Sequence, residues 1–133
     1  MKTRETRIAN TYEPIAIYYS DADYVEYIRK DVPCVQRRVD EYLTLSLELY
    51  SRELVGFRIK GFRNLYIQHL RETQRVLDHE QFLRLVRVIE KTVELVGHSV
   101  FEEDKVRAEA YRAAHTLAQE DDAALPEMDE IAA

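Results

Sequence analysis

The chain has no tryptophan, one cysteine, three glycines and three prolines in 133 residues. Each shortage excludes something. Cys34 alone cannot form an internal disulfide or supply a multi-cysteine metal site. So few glycines leave no GxGxxG or GxxxxGK[ST] loop to cradle a phosphate, and no GxSxG elbow is present. Apolar runs extend over only a few residues, far short of the roughly 20 that a membrane helix needs. The charged opening MKTRETRIAN has no apolar segment behind it, so no secretory signal is expected. A reducing cytoplasm is the expected location.

Basic residues are missing from one end. From Gln119 to Ala133 there are six acidic residues and no basic one, whereas residues 1–63 hold 11 basic and 10 acidic side chains and residues 64–118 hold 8 and 9. The formal charge of −6 therefore belongs to the last segment, and the body is close to neutral. One domain is expected over residues 1–118, with 119–133 as an acidic flexible tail.

The most regular stretch is YLTLSLELYSRELVGFRIKG, Tyr42 to Gly61. Leu43, Leu45 and Leu47 alternate with Thr44, Ser46 and Glu48, and Val55, Phe57 and Ile59 alternate with Gly56, Arg58 and Lys60. Period-two alternation on both sides of a four-residue turn predicts a hairpin that is wet on one face and covered on the other. Ile15–Tyr19, Tyr24–Arg29 and Cys34–Val39 are further candidate strands. The prediction is an α+β fold: an antiparallel meander of about four strands over 15–61, with helices over 62–118 packed on one face.

After Gly61 the period lengthens. Phe62, Leu65, Leu70 and Leu77 recur at helical spacing and predict a helix over 62–77. Asp78 and Gln81 form a capping box for a second helix, which Gly97 stops. Ser99 and Glu102 form another box, so the third helix is expected to start there and run to about residue 118. The second helix carries apolar residues beyond one stripe. Leu85, Val88 and Leu95 widen it and are candidates for an oligomer face, with a homodimer as the expected assembly. The alternative for the same residues is burial between neighbouring helices of one chain.

Candidate chemistry is sparse. His69, His79, His98 and His115 make no HExxH pattern; Glu94/His98 and Tyr111/His115 are only pairs at i,i+4. Carboxylate pairs such as Asp40/Glu41 sit where turns or helix starts already account for them. No cofactor, metal or catalytic residue is assigned, and enzymatic activity has nothing positive in its favour. The strongest local pattern is basic: Arg58 and Lys60 share the outer face of one strand, Arg37 or Arg38 faces outward on another, and Arg63 follows. With Tyr24, Tyr27 and Tyr42 nearby, these residues form a candidate face for nucleic acid or another ligand.

The pieces YYSDAD, YVEYIR (24–29), YLTLSLEL (42–49) and LVGFRIKG (54–61) give residues 18–61 a further character. In order and spacing they resemble domain-of-unknown-function family 2283, a family of small bacterial and archaeal proteins. The chain departs from that pattern at Tyr50-Ser51-Arg52-Glu53, where an Asp-rich, Gly-containing turn is usual, at Arg58, where an acidic residue is common, and in its long helical extension. The resemblance implies a prokaryotic protein with a β-meander packed on helices, and an accessory or toxin-neutralising role. It implies no reaction, cofactor or site. The leading expectation is a non-enzymatic interaction or accessory protein that self-associates through its helices. The alternatives are a nucleic-acid binder using the outer sheet face and a small-molecule-binding or weakly catalytic domain.

Overall fold

The computed structural model describes residues 12–71 and 83–125. Five strands, β1 (Ile17–Tyr19), β2 (Tyr24–Ile28), β3 (Cys34–Arg38), β4 (Leu43–Glu48) and β5 (Leu54–Lys60), form one antiparallel sheet. An α+β fold with an antiparallel sheet is what the alternating sequence predicts, with five strands in the sheet where about four are expected.

The strand order is β1-β2-β5-β4-β3, so the sheet is not a sequential meander. Strand β5 lies between β2 and β4, and the chain crosses the end of the sheet to reach β3. Cross-strand chemistry selects this order. On the inner face Val25 opposes Ile59 and Tyr27 opposes Phe57; on the outer face Glu26 opposes Arg58. Gly56 makes the close approach possible, because a β-carbon there would collide with the Tyr27 carbonyl oxygen and stand 2.7 Å from Ile28 Cδ1.

The inner face is as the alternation predicts over Leu43, Leu45, Phe57 and Ile59, but a register shift between Ser46 and Leu47 sets Leu54 rather than Val55 opposite Leu47. The outer face is not the wet one expected, Thr44 being 6 % exposed. Leu43, Leu45, Phe57 and Ile59 are buried under the helices, with Val25 and Tyr27 beside them. Burying each such side chain contributes about 1.5–3 kcal/mol. On the other face Ser46 is buried too, and its hydroxyl donates to Gln36 Oε1 at 3.0 Å.

Helix α1 (Phe62–Leu65) runs into a π-helical turn, Tyr66–Leu70. The remainder of the helix expected over 62–77, and the capping box at Asp78 and Gln81, lie outside the described residues. The chain resumes as a short strand, β6 (Leu83–Arg84), followed by α2 (Leu85–Val96), α3 (His98–Glu103), α4 (Lys105–Asp121) and β7 (Ala124–Leu125), which pairs with β6.

Three expectations are corrected here. The Ser99–Glu102 box does not start the long last helix. Residues 98–103 are a separate short helix without a side-chain cap, and Asp104 caps α4 by accepting from the Arg107 amide at 3.0 Å. A carboxylate one residue before the new helix satisfies an orphan amide that Ser99 leaves alone.

Leu85 and Val88 are fully buried within the chain and offer no oligomer face. Helix α2 packs against α4 on one side and against β6 and the π-helical turn on others, so its wide apolar stripe is consumed internally. Leu95, at 44 % exposure, is the one member of that trio left on the surface.

The acidic segment does not become a tail at Gln119. Helix α4 continues to Asp121, Asp122 takes the left-handed conformation that ends it, and Ala123 and Leu125 are buried. Residues 126–133 lie outside the described residues.

Candidate binding groove

Helix α4 is the wall on which the site is built, and two carboxylates fix it to the sheet. Near its start, Asp40 from the β3–β4 turn accepts from Arg107 Nε and from the Tyr111 hydroxyl, both at 2.8 Å. The other oxygen of Asp40 accepts from the Tyr42 and Leu43 amides, each at 2.8 Å. The Asp40 side chain is 5 % exposed, so this carboxylate is buried with its acceptor positions occupied. At the far end, Asp121 receives Arg29 through Nε at 2.9 Å and Nη2 at 2.8 Å, and the Tyr27 hydroxyl at 2.7 Å. The hydrogen bonds from Arg29, with that from Tyr27, hold the Asp121 carboxyl below its ordinary pKa.

Between α2, α3 and α4 the surface opens into a groove of about 470 Å³. Its floor is Ile89 and Val93 from α2, Phe101 from α3, and Ala108 and Tyr111 from α4. The Phe101 and Tyr111 rings meet edge to face with centroids 5.3 Å apart. Burial, reinforced by the bond to Asp40, pushes the Tyr111 hydroxyl well above its ordinary pKa. That hydroxyl is committed to Asp40, so Tyr111 presents its ring rather than an acid or a base.

Polar groups stand at the rim. Glu90, Glu94, His98, Arg112 and His115 line it, and His115 Nε2 lies 2.9 Å from Glu90 Oε2 across the α2–α4 gap. The two i,i+4 pairs visible in the sequence, Glu94/His98 and Tyr111/His115, thus belong to one groove. Among the described residues no three His, Cys, Asp or Glu side chains are grouped to hold a metal ion.

The expected basic face is only partly assembled. Arg58 does lie on the outer face, but its Nε donates to Glu26 at 2.8 Å and its guanidinium sits 4.9 Å from the Tyr24 ring centroid. Lys60 lies opposite Tyr24, and Arg38 opposite Thr44, on that same face. Arg37 opposes Leu45 and so stands on the helix side of the sheet. Arg63 is in α1, its amide donating to Asp23 at 2.9 Å. Tyr27 is buried on the inner face, which removes it as a stacking platform. Cys34 donates its thiol to the Val32 carbonyl at 3.2 Å, and burial raises its pKa, so it stays a protonated thiol.

Comparison of the chain with protein-family models, curated proteins and solved structures gave no match. Among the described residues, no helix is long and apolar enough to cross a membrane.

Proposed function

We propose that this protein is a non-enzymatic interaction protein of the cytoplasm, and that a partner docks in the groove between α2, α3 and α4. The observation that carries the reading is the groove's composition, an aromatic and aliphatic floor with the acidic and basic side chains at the rim. Such a surface excludes water from an apolar partner while the rim fixes its orientation. Its tyrosine hydroxyl and the chain's one thiol are both held protonated. The accessory role implied by the resemblance over residues 18–61 belongs to the same proposal.

The test is a capture experiment with paired variants. Ala108→Glu places a carboxylate on the groove floor at a partly exposed helix position. Partners retained by the wild type and lost by this variant, with the helical circular dichroism signal unchanged, are the expected result. Equal capture by both proteins would overturn the assignment.

A second reading has one specific observation behind it. A volume of about 470 Å³ lies in the range of small-molecule pockets. Native mass spectrometry of the protein isolated from its host separates the two, because a resident metabolite adds a small fixed mass. The outer sheet face has less to recommend it as a nucleic-acid surface, since Glu26 already neutralises Arg58.

A further inference from the structure

A second groove lies on the opposite flank of α4. Five strands make a layer about 24 Å wide, and one helix covers about 10 Å of it. Helix α4 lies over β4 and β5, and α1 packs on β2. Edge strand β3 has no comparable helix across it among the described residues, which leaves a trough of about 440 Å³ floored by Leu45, Leu47, Leu54 and Ala113. Val106 stands in its wall at 65 % exposure.

The charges around this trough are one-sided. Arg37, Arg52 and Lys105 line it, all three are exposed, and none has an acidic partner among the described residues. The acidic residue on the rim, Glu109, is engaged by Arg112 at 3.3 Å. Three unpaired cations over an aliphatic floor call for an occupant that interleaves carboxylates with apolar side chains.

The chain itself holds that pattern. Of the six acidic residues after Ala118, Glu120 and Asp121 are paired with Arg29, and Asp122 with Arg84. The other three, Glu127, Asp129 and Glu130, alternate with Met128 and Ile131 in the sequence PEMDEIAA. We propose that the trough beside α4 receives this segment, residues 126–133, from a second copy of the chain, so that two copies associate by exchanging it.

Reach argues for a second copy over the chain's own end. Lys105 opens α4, and Leu125 follows its other end, where the Ala123 amide bonds the Ala118 carbonyl; the helix's 17 residues span about 25 Å. Glu130, the last carboxylate of the segment, is five residues past Leu125 and extends at most about 18 Å from it, short of Lys105 at the other end of the helix. Reciprocal exchange closes a two-fold dimer without leaving a free site. This trough is separate from the groove between α2 and α4, and its test does not depend on that groove.

The experiment is sedimentation equilibrium of the full chain and three variants. Wild type is expected to dimerise at micromolar concentration and to weaken between about 50 and about 500 mM salt. Arg37→Glu with Arg52→Glu and Lys105→Glu, all at exposed positions, is expected to raise the dimer dissociation constant roughly ten- to a hundredfold. Glu127→Lys with Asp129→Lys and Glu130→Lys should do the same, and the two triple variants mixed together should recover association as a heterodimer. A wild type that stays monomeric to about 100 μM, a dimer indifferent to either reversal, or a mixture that fails to recover would each overturn the proposal.

Discussion

Removing the Asp40 carboxylate is the most direct perturbation of how the candidate groove is held. Asp40→Ala leaves Arg107 Nε, the Tyr111 hydroxyl and the Tyr42 and Leu43 amides without their acceptor. Arg107 is 20 % exposed and can recover some hydration, whereas Tyr111 is 2 % exposed and cannot. Breaking a buried, hydrogen-bonded charge pair from one side costs about 3–5 kcal/mol, a large part of the 5–15 kcal/mol that holds a typical domain together. Asp40→Asn keeps an acceptor for the two amides and loses only the charge-assisted bonds, so about 2–3 kcal/mol is expected. Urea unfolding followed by circular dichroism measures both. Hydrogen exchange should show the first turns of α4 opening ahead of the rest. A loss below about 1 kcal/mol for Asp40→Ala would mean that water replaces the carboxylate freely, and the account of α4 as a fixed wall would fail.

Three further outcomes follow from burial, sterics and titration. Val88→Glu should abolish cooperative unfolding, because an unpaired carboxylate would enter a fully enclosed site; Leu95→Glu, on the surface, should shift the urea midpoint negligibly. Gly56→Ala should cost about 1–3 kcal/mol, since relief requires β2 and β5 to separate at Tyr27, and a wild-type urea midpoint would refute that close approach. Tyr27 and Tyr111 have pKa values raised above the unfolded value of about 10, chiefly by burial. The folded state thus holds protons that the unfolded chain releases, and stability is complete below pH 10 and falls above it, by about 1.4 kcal/mol per pH unit for each group. Tyr111→Phe should remove one of these contributions from the alkaline slope, which thermal melts at pH 9–11 would read. The Asp121 carboxyl, lowered by Arg29, acts in the opposite sense, its stabilisation lost as pH falls below about 4.

Local patterns were legible in proportion to how local their causes are. The alternation of Leu43–Leu47 with Thr44–Glu48 depends on neighbours two residues away, and the inner face of the hairpin followed from it. The pairing of β2 with β5 depends on Tyr27 meeting Phe57 and Glu26 meeting Arg58 across some thirty residues, which no short window contains. The stripe on α2 looks the same in sequence whether its extra width meets another molecule or two elements of its own chain. Leu85 and Val88 fell to the second case. At the start of α4 two capping signals compete, Ser99 and Asp104, and only the break at Asp104 chooses between them. The groove shows the limit most plainly. Tyr111/His115 and Glu94/His98 stand out as i,i+4 pairs, but their common groove depends on where α3 places Phe101. The Asp40 anchor spans 67 and 71 residues to its two side-chain partners.

Helix α4 is shared by both grooves, and this constrains how they can influence each other. Tyr111 faces the trough between the helices, while Val106 and Ala113 face the one beside β3. A partner in either can affect the other only by moving α4 or by reordering its side chains. Rigid movement is opposed at one end by the Asp40 network and at the other by the Arg29–Asp121–Tyr27 network, each drawing its anchor from the sheet. The anchors therefore preorganise two independent surfaces, because a wall already in position spares an incoming partner the entropy of ordering it. Independence holds only while the anchors hold. With Asp40→Ala, the turn of α4 that carries Arg107 and Tyr111 is released, and that turn lies between Val106 and Ala113. Occupancy of the groove by the proposed partner should then alter the affinity of the proposed dimer, where no such effect is expected in the wild type, and the two equilibria measured together would expose that coupling as reciprocal.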